Sequence, residues 1–221
     1  MNYMIHSCNQ RQWYVDEYLI PSMISQGINK DDIIVYQDKE CKGNLFAFLD
    51  SIDLLPEKGH TWHLQDDVVI SMFFKDYTEL EEHKHHGIVC GFASKYCKDS
   101  LPGYTCGEKM WYSFPCIRIP NTLLREFKVW VQENVLNNPE YRMWVRKKKY
   151  DDSIFQIYVM DYWCGSIYNL EPNIVDHVDY LLGGSTLDTR KEQIRAEYFI
   201  DAGEVDALKK ALERRKKYGS S

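Results

Sequence analysis

The sequence predicts an α/β fold with a mostly parallel central sheet and helices on its flanks. Three observations predict it. Residues 3–64 alternate short apolar runs with amphipathic stretches in the order strand, helix, strand, helix, strand, a pattern that produces parallel strands joined by right-handed crossovers. Ile33-Ile34-Val35 is a continuous β-branched run, as expected of a strand buried on both faces. Turn-forming residues (Gly43-Asn44, Pro56 and Gly59) fall between these units.

Taken in order, Tyr3 to Ser7 reads as the first strand. A helix from about Arg11 to Gln26 follows, with Tyr14, Tyr18, Leu19 and Met23 on one face. Asp32 to Tyr36 is the second strand. Gly43-Asn44 opens a helix with Leu45, Phe48, Leu49 and Ile52 on one side. The third strand, Thr61 to Leu64, runs directly into Gln65-Asp66-Asp67. Further on, Gly87 to Phe92 and Ser113 to Ile119 read as strands. Pro120-Asn121 starts a helix carrying Leu124, Phe127, Trp130 and Val131, and Asp151-Asp152-Ser153 opens another, to about Tyr162. Ile167 to Leu170 reads as a short strand ahead of Pro172. From Asp201 the tail is an amphipathic helix with Val205, Leu208 and Leu212 inward. No repeat or low-complexity linker interrupts the chain. One domain over residues 1–199 is expected, with a basic C-terminal helix, 200–221, packed on it.

Composition sets limits on function. A chain of 221 residues that is 44% hydrophobic can bury one sizeable core. No apolar run approaches the roughly 20 residues of a membrane span. Met1 to Ser7 is too short and polar for a signal peptide. The expectation is a cytoplasmic protein without a transmembrane segment. Seven scattered cysteines, an odd number without a CxxC pair, fit reduced thiols rather than a disulfide framework. A net charge of −6 excludes a wholly basic nucleic-acid surface. Two basic clusters stand out nonetheless: Arg142, Arg146, Lys147, Lys148 and Lys149, and Lys209, Lys210, Arg214, Arg215, Lys216 and Lys217. Such clusters either contact phosphates or form solvated faces. The run His83-Lys84-His85-His86 reads as a polar surface turn, because adjacent histidines point in different directions on any regular element.

Ligands of open parallel sheets bind beyond the carboxyl ends of the strands. Three loops meet that condition: Ser7 to Arg11, Gln37 to Asn44, and Gln65 to Val69. The last contains the feature that most needs explaining. Two adjacent carboxylates at the end of a buried strand repel each other, and burial makes the repulsion worse. Mg²⁺ or Mn²⁺ resolves the conflict, since such cations prefer carboxylate oxygens and commonly share their remaining positions with substrate phosphates. The alternative is that one Asp caps a helix while the other faces solvent.

Gln65-Asp66-Asp67-Val68 after a strand resembles the acidic metal motif of glycosyltransferases of the GT-A (Rossmann-like) fold. Other segments resemble that family in order: the strand followed by the Arg-bearing loop Ser7-Cys8-Asn9-Gln10-Arg11, the second strand ending in Gln37-Asp38, the turn Gly43-Asn44, and the acidic helix start Asp151-Asp152-Ser153. Pro172-Asn173-Ile174-Val175-Asp176-His177 resembles the family's closing segment, and Ser185 with Arg195-Ala196-Glu197-Tyr198-Phe199 its usual tail. The resemblance covers residues 1–199 and departs at Gln65, which stands where an acid is usual and contributes no charge.

The resemblance implies a metal-dependent glycosyltransferase moving a sugar from a UDP- or GDP-sugar to a hydroxyl. Asp67 and His177 would hold Mn²⁺ or Mg²⁺. Ser7, Arg11, Asp38, Asn44, Gln65 and Asp66 would line the donor nucleotide, with Asp66 near the ribose or a metal-bound water. Asp176 and Asp179 could orient the His177 ring. In an inverting reaction Asp152 would be the base, with Asp151 as helix cap beside it; capping by both is the alternative. Trp111, Tyr112 and Phe114 would line the acceptor site or pack in the core. Relatives in phages and in polysaccharide pathways suggest as acceptor a hydroxymethylated base in phage DNA, a glycan or a small molecule. A nucleotidyltransferase is a competing reading, although the first loop lacks the glycines expected of it. So is a non-catalytic module binding sugar nucleotides or nucleic acid.

Overall fold

The structure, a computed structural model, describes residues 1–80, 87–93, 114–147, 151–163, 165, 167–182, 196 and 199–218. The chain begins with β1 (Asn2–Cys8), α1 (Gln12–Tyr14), a π-helical turn (Val15–Leu19) and α2 (Ile20–Ser25). The helix expected from Arg11 to Gln26 is therefore one helical run widened in its middle. Pro21 lies inside this run, just after the π-turn, and has no N–H to donate back along it. Next come β2 (Ile33–Asp38), α3 (Asn44–Ser51), β3 (His60–Gln65), β4 (Val68–Ile70) and α4 (Phe74–Thr78). The second half holds β5 (Ile88–Cys90), β6 (Cys116–Pro120), α5 (Asn121–Asn134), α6 (Arg142–Lys147) and α7 (Asp151–Tyr158). A π-helical turn, Val159–Trp163, extends α7 and leads to β7 (Ile167–Asn169), β8 (Val175–His177), α8 (Asp179–Leu182) and α9 (Ala202–Tyr218).

The central sheet has six strands in the order β2-β1-β3-β6-β5-β7. β1 pairs in parallel with β2 and β3, and β5 with β7, whereas β6 runs antiparallel between β3 and β5. The expected mostly parallel sheet with flanking helices is thus observed, with one reversed strand.

Alternation along β1 divides the core. Tyr3 and Ile5 point into a cluster with Tyr14, Val15, Leu19 and Phe74. Met4 points the other way, into Leu45, Phe48, Leu124, Phe127, Ile154 and Phe155 of α3, α5 and α7. On that second face His6 Nε2 and His63 Nδ1 lie 2.9 Å apart, and Phe48 packs against both rings. Burial lowers His6 to about 4 and His63 well below the ordinary range, so both rings are neutral and one donates a hydrogen bond to the other.

The C-terminal helix closes the first cluster. Val205, Leu208 and Leu212 of α9 are buried in it, as the spacing predicts. Arg215 stacks over Trp13 at 4.1 Å and pairs with Glu17. Part of the basic C-terminal cluster is therefore engaged in holding α9 to the first helical run. Among the described residues no helix is long and apolar enough to cross a membrane.

Leu208→Ala should lower unfolding stability by about 2–4 kcal/mol in urea titration. Lys210→Ala, on the exposed side of the same helix, should change it by less than about 0.5 kcal/mol. Equal effects would show that the helix is not docked through this face.

Candidate active site

The site is built where β1 and β3 end. Parallel pairing sets Cys8 beside Asp38 and His6 beside Gln65, so the chain leaves all three strands on one edge. Asp66 and Asp67 form the turn between β3 and β4. β4 then pairs antiparallel with β8, with Val68 opposite His177. The Val178 amide donates to the Asp67 carbonyl at 2.7 Å. This two-stranded ribbon carries His177 to the acidic pair from the far end of the sequence.

Asp66, Asp67, Arg11 and His177 are all buried. Arg11 Nη1 donates to Asp66 Oδ1 at 2.8 Å and also to Asp67 Oδ2. The backbone amide of Cys8 donates to Asp66 Oδ2 at 2.9 Å. On the opposite side His177 Nε2 stands 3.2 Å from Asp67 Oδ1, and Asp179 Oδ1 stands 3.5 Å from His177 Nδ1. Asp179 thus faces the ring, whereas Asp176 Oδ1 accepts from the amides of His177 and Ala196, at 2.9 and 2.8 Å. The Tyr14 hydroxyl donates to the Val68 carbonyl at 2.8 Å and holds the ribbon down on the first helical run.

These contacts separate the two carboxyls electrostatically. Burial raises Asp66 to about 6; the Asp67 charge adds to this while Arg11 opposes it. Burial pulls Asp67 upward too, but His177 and Arg11 outweigh it and hold that carboxyl well below the usual range. Burial would lower His177, yet Asp67, helped by Asp179, lifts it to about 9.

Of the remaining expected residues, Ser7, Gln65, Asp38, Asn44 and Asp151 lie on the same edge. Ser7 is buried next to Cys8. The Gln65 amide donates to the Pro115 carbonyl at 3.1 Å. Both oxygens of Asp38 accept from loop amides, those of Lys42 at 2.9 Å and Gly43 at 3.0 Å. Asp38 therefore shapes the turn in which Gly43 has φ 91°, a left-handed conformation that favours glycine. α3 and α7 both begin here, and the Asn44 side chain bonds Asp151. Asp151 is buried. Burial, then the charge of Asp152, raises it to about 7. Asp152 is turned back on its own helix, its Oδ1 accepting from the Ser153 amide at 2.7 Å. Phe114 packs in the core 5.1 Å from Phe48 and 5.6 Å from Phe155.

Trp111, Tyr112, Lys148, Lys149, Ser185, Arg195, Glu197, Tyr198 and the run 83–86 lie outside the described residues, as do Cys97, Cys106 and Cys164. Among the described residues, Cys8, Cys41 and Cys116 are free thiols.

Two features escaped the sequence reading. Arg11 was expected near a nucleotide; here its guanidinium neutralises the acidic pair, a role only its proximity in space reveals. The Cys8 amide has no sequence signal, since any residue but proline offers one.

The donors fit the expected divalent cation in part. Asp67 Oδ1 is a buried oxygen that no donor reaches with hydrogen-bond geometry, and the His177 nitrogen converges on it. Carboxylate oxygen and imidazole nitrogen both ligate Mn²⁺. Among the described residues no group of three or more His, Cys, Asp or Glu could hold a metal ion. Asp67 and His177 would then hold such an ion through two ligands, with the other positions left to phosphates and water.

The sheet order and this strand-end site define a GT-A-like α/β fold. The chain is similar to the crystal structure of the galactosyltransferase LgtC in complex with donor and acceptor sugar analogs. The TM-score is 0.52 at 9% identity, over 80% of this chain and 87% of that one. It is also similar to the inositol-1-phosphate CTP transferase from T. maritima (TM-score 0.49, 8% identity, 100% and 98% covered). A further similarity is to the apo-form glycosyltransferase GlyE of Streptococcus pneumoniae TIGR4 (TM-score 0.45, 11% identity, 77% of this chain). The chain spans 45% of the length of that GlyE structure. No protein-family model and no curated protein matches the sequence.

The raised pKa of His177 has a definite sign in stability. Its contribution is fully present below the unfolded value of about 6.5 and is lost as pH rises through about 9. Urea titrations from pH 6 to 10 should show stability falling across that window. In His177→Gln the fall should be smaller; an unchanged profile would place the loss elsewhere.

Proposed function

We propose that the protein transfers a sugar from a UDP- or GDP-sugar to an acceptor hydroxyl. One observation carries this reading: the buried Asp66-Asp67 pair lies at the carboxyl end of β3, flanked by Arg11 from the end of β1 and His177 from β8. Buried carboxylates with a permanent cation and an imidazole around them, on the ligand edge of a parallel sheet, suit a nucleoside diphosphate. The GT-A-like fold agrees with this.

In the reaction proposed, the acceptor oxygen forms a bond to the anomeric carbon. The bond from that carbon to the diphosphate breaks, its electron pair leaving on the phosphate oxygen. The acceptor proton passes to a base. A divalent cation, when bound, supplies positive charge to the departing diphosphate, and Asp67 and His177 are the residues that would hold it. Arg11 offers a guanidinium for the phosphates, and Asp66 would contact the ribose or a metal-bound water. Asp38 and Asn44 border the nucleotide through the loop they shape.

For the base in an inverting reaction we favour Asp151 over Asp152. Asp151 is buried beside Asn44, and its pKa of about 7 suits proton transfer at neutral pH, whereas Asp152 Oδ1 is engaged by Ser153. An anionic acceptor, such as a hydroxymethylated base in phage DNA, is supported by exposed Arg142 and Arg146 on α6 and Lys210, Arg214 and Lys216 on α9.

Thermal-shift screening of nucleotide sugars with and without Mn²⁺ should reveal stabilisation by one UDP- or GDP-sugar. Asp67→Ala should reduce transfer or donor hydrolysis by about 100-fold or more; full activity in that variant would sink the proposal. The rate should rise with pH through about 7 as Asp151 loses its proton. Asp151→Asn should lose that limb together with about 10²–10⁴ in rate. A DNA acceptor predicts affinity that falls steeply with salt; a salt-insensitive acceptor would exclude it.

A further inference from the structure

Arg11 stands where it obstructs the cation the site would otherwise take. Its Nη1 is bonded to Asp66 Oδ1 and Asp67 Oδ2 at once. Asp66 Oδ2 is taken by the Cys8 amide. Of the four carboxylate oxygens, the one that neither Arg11 nor the Cys8 amide engages is Asp67 Oδ1, which faces His177 Nε2 at 3.2 Å. A Mn²⁺ or Mg²⁺ ion approaching the free protein therefore meets a single carboxylate oxygen, with a permanent cation in contact with the same group. In a buried site such a like charge counts for far more than in water.

The backbone of Arg11 is pinned. Its carbonyl accepts from the amides of Tyr14 at 2.9 Å and Val15 at 3.3 Å, and its own amide donates to the Cys8 carbonyl at 3.1 Å. What remains movable is the side chain, a long stem ending in a planar fork of donors. The other partner that matches this fork is a phosphate, and the loop that bears it lies on the ligand edge of the sheet.

We infer that Arg11 makes cation binding conditional on the donor: its guanidinium closes the Asp66-Asp67 pair in the free protein, moves onto the diphosphate when a nucleotide enters, and so frees the Asp67 carboxylate for the divalent cation that Asp67 and His177 would hold. This rests on the nucleotide-sugar reading above. The arrangement fixes a binding order, nucleotide before metal. By linkage, nucleotide and metal each tighten the other by one common factor, and Arg11 sets much of its size.

The test measures Mn²⁺ binding directly, by the electron paramagnetic resonance signal of the free ion, on the full chain with no sugar and no turnover. Wild type should bind Mn²⁺ alone at least tenfold more weakly than with UDP or GDP present. Arg11→Gln should bind Mn²⁺ alone at least tenfold more tightly than wild type, and should bind the nucleotide more weakly when metal is absent. A residue that only held the loop in shape would not raise Mn²⁺ affinity when removed. Asp67→Asn should abolish Mn²⁺ uptake under every condition. If UDP or GDP binds but Arg11→Gln leaves Mn²⁺ affinity unchanged or lower, the conditional mechanism is overturned while the donor reading stands. If neither nucleotide binds to any variant with or without Mn²⁺, the donor reading falls and the inference with it. Should Arg11→Gln not fold by circular dichroism, Arg11→Lys decides. Its single ammonium lacks the planar fork, so Mn²⁺ alone should bind severalfold more tightly than to wild type, and an unchanged affinity overturns the inference.

Discussion

Two carboxylates buried side by side must be given positive charge, and the rest of the site follows from how this chain supplies it. Neither Asp66 nor Asp67 could stay ionised at this depth alone. Arg11 reaches both from the end of β1, and His177 approaches Asp67 from the opposite side. Those two contacts tie together the first strand, the third strand and the C-terminal part of the fold. They also make the carboxyls unequal. Asp67 is held ionised between two cationic groups, while Asp66 is easier to protonate. Two chemically identical side chains thereby acquire different roles.

The contrast between the halves of the sheet shows what could be read from the sequence. Residues 3–64 were legible because their strands are β-branched or apolar runs and their helices repeat apolar residues at helical spacing. β1, β2, β3 and α3 fall where those patterns place them, although β2 is a half-buried edge strand and not the fully buried strand that Ile33-Ile34-Val35 suggested. The inward residues of α9 were legible for the same reason. β4 and β8 were not. Each has three residues, too few for any periodicity, and their pairing joins distant parts of the chain. The reversal of β6 was hidden as well, since a buried strand has the same composition whichever way it runs.

For the site, the acidic pair and His177 could be picked out because charged and imidazole groups at strand ends invite a chemical reason. The relation between them could not. Like charge at Asp66-Asp67 suggested an external cation; the chain carries an internal one in Arg11, and only the parallel pairing of β1 with β3 brings it near. Asn44 and Asp151 illustrate the same limit. Each was singled out separately, and their contact exists because two helices start on one edge of the sheet. Phe114 illustrates the opposite case, an aromatic whose two readings, ligand stacking and core packing, differ only in which way the ring points.

The β4–β8 ribbon has a consequence for how the molecule is made. During synthesis the N-terminal part of a chain is available to fold first, and here that part includes β1, β2, β3 and both carboxylates. The strand that brings His177 emerges well after both aspartates. Until then the nascent sheet would hold a buried double negative charge, were it not for Arg11, which leaves the ribosome before either aspartate. An arginine upstream of the pair allows the first three strands to close as a unit, with the ribbon added later as a clasp.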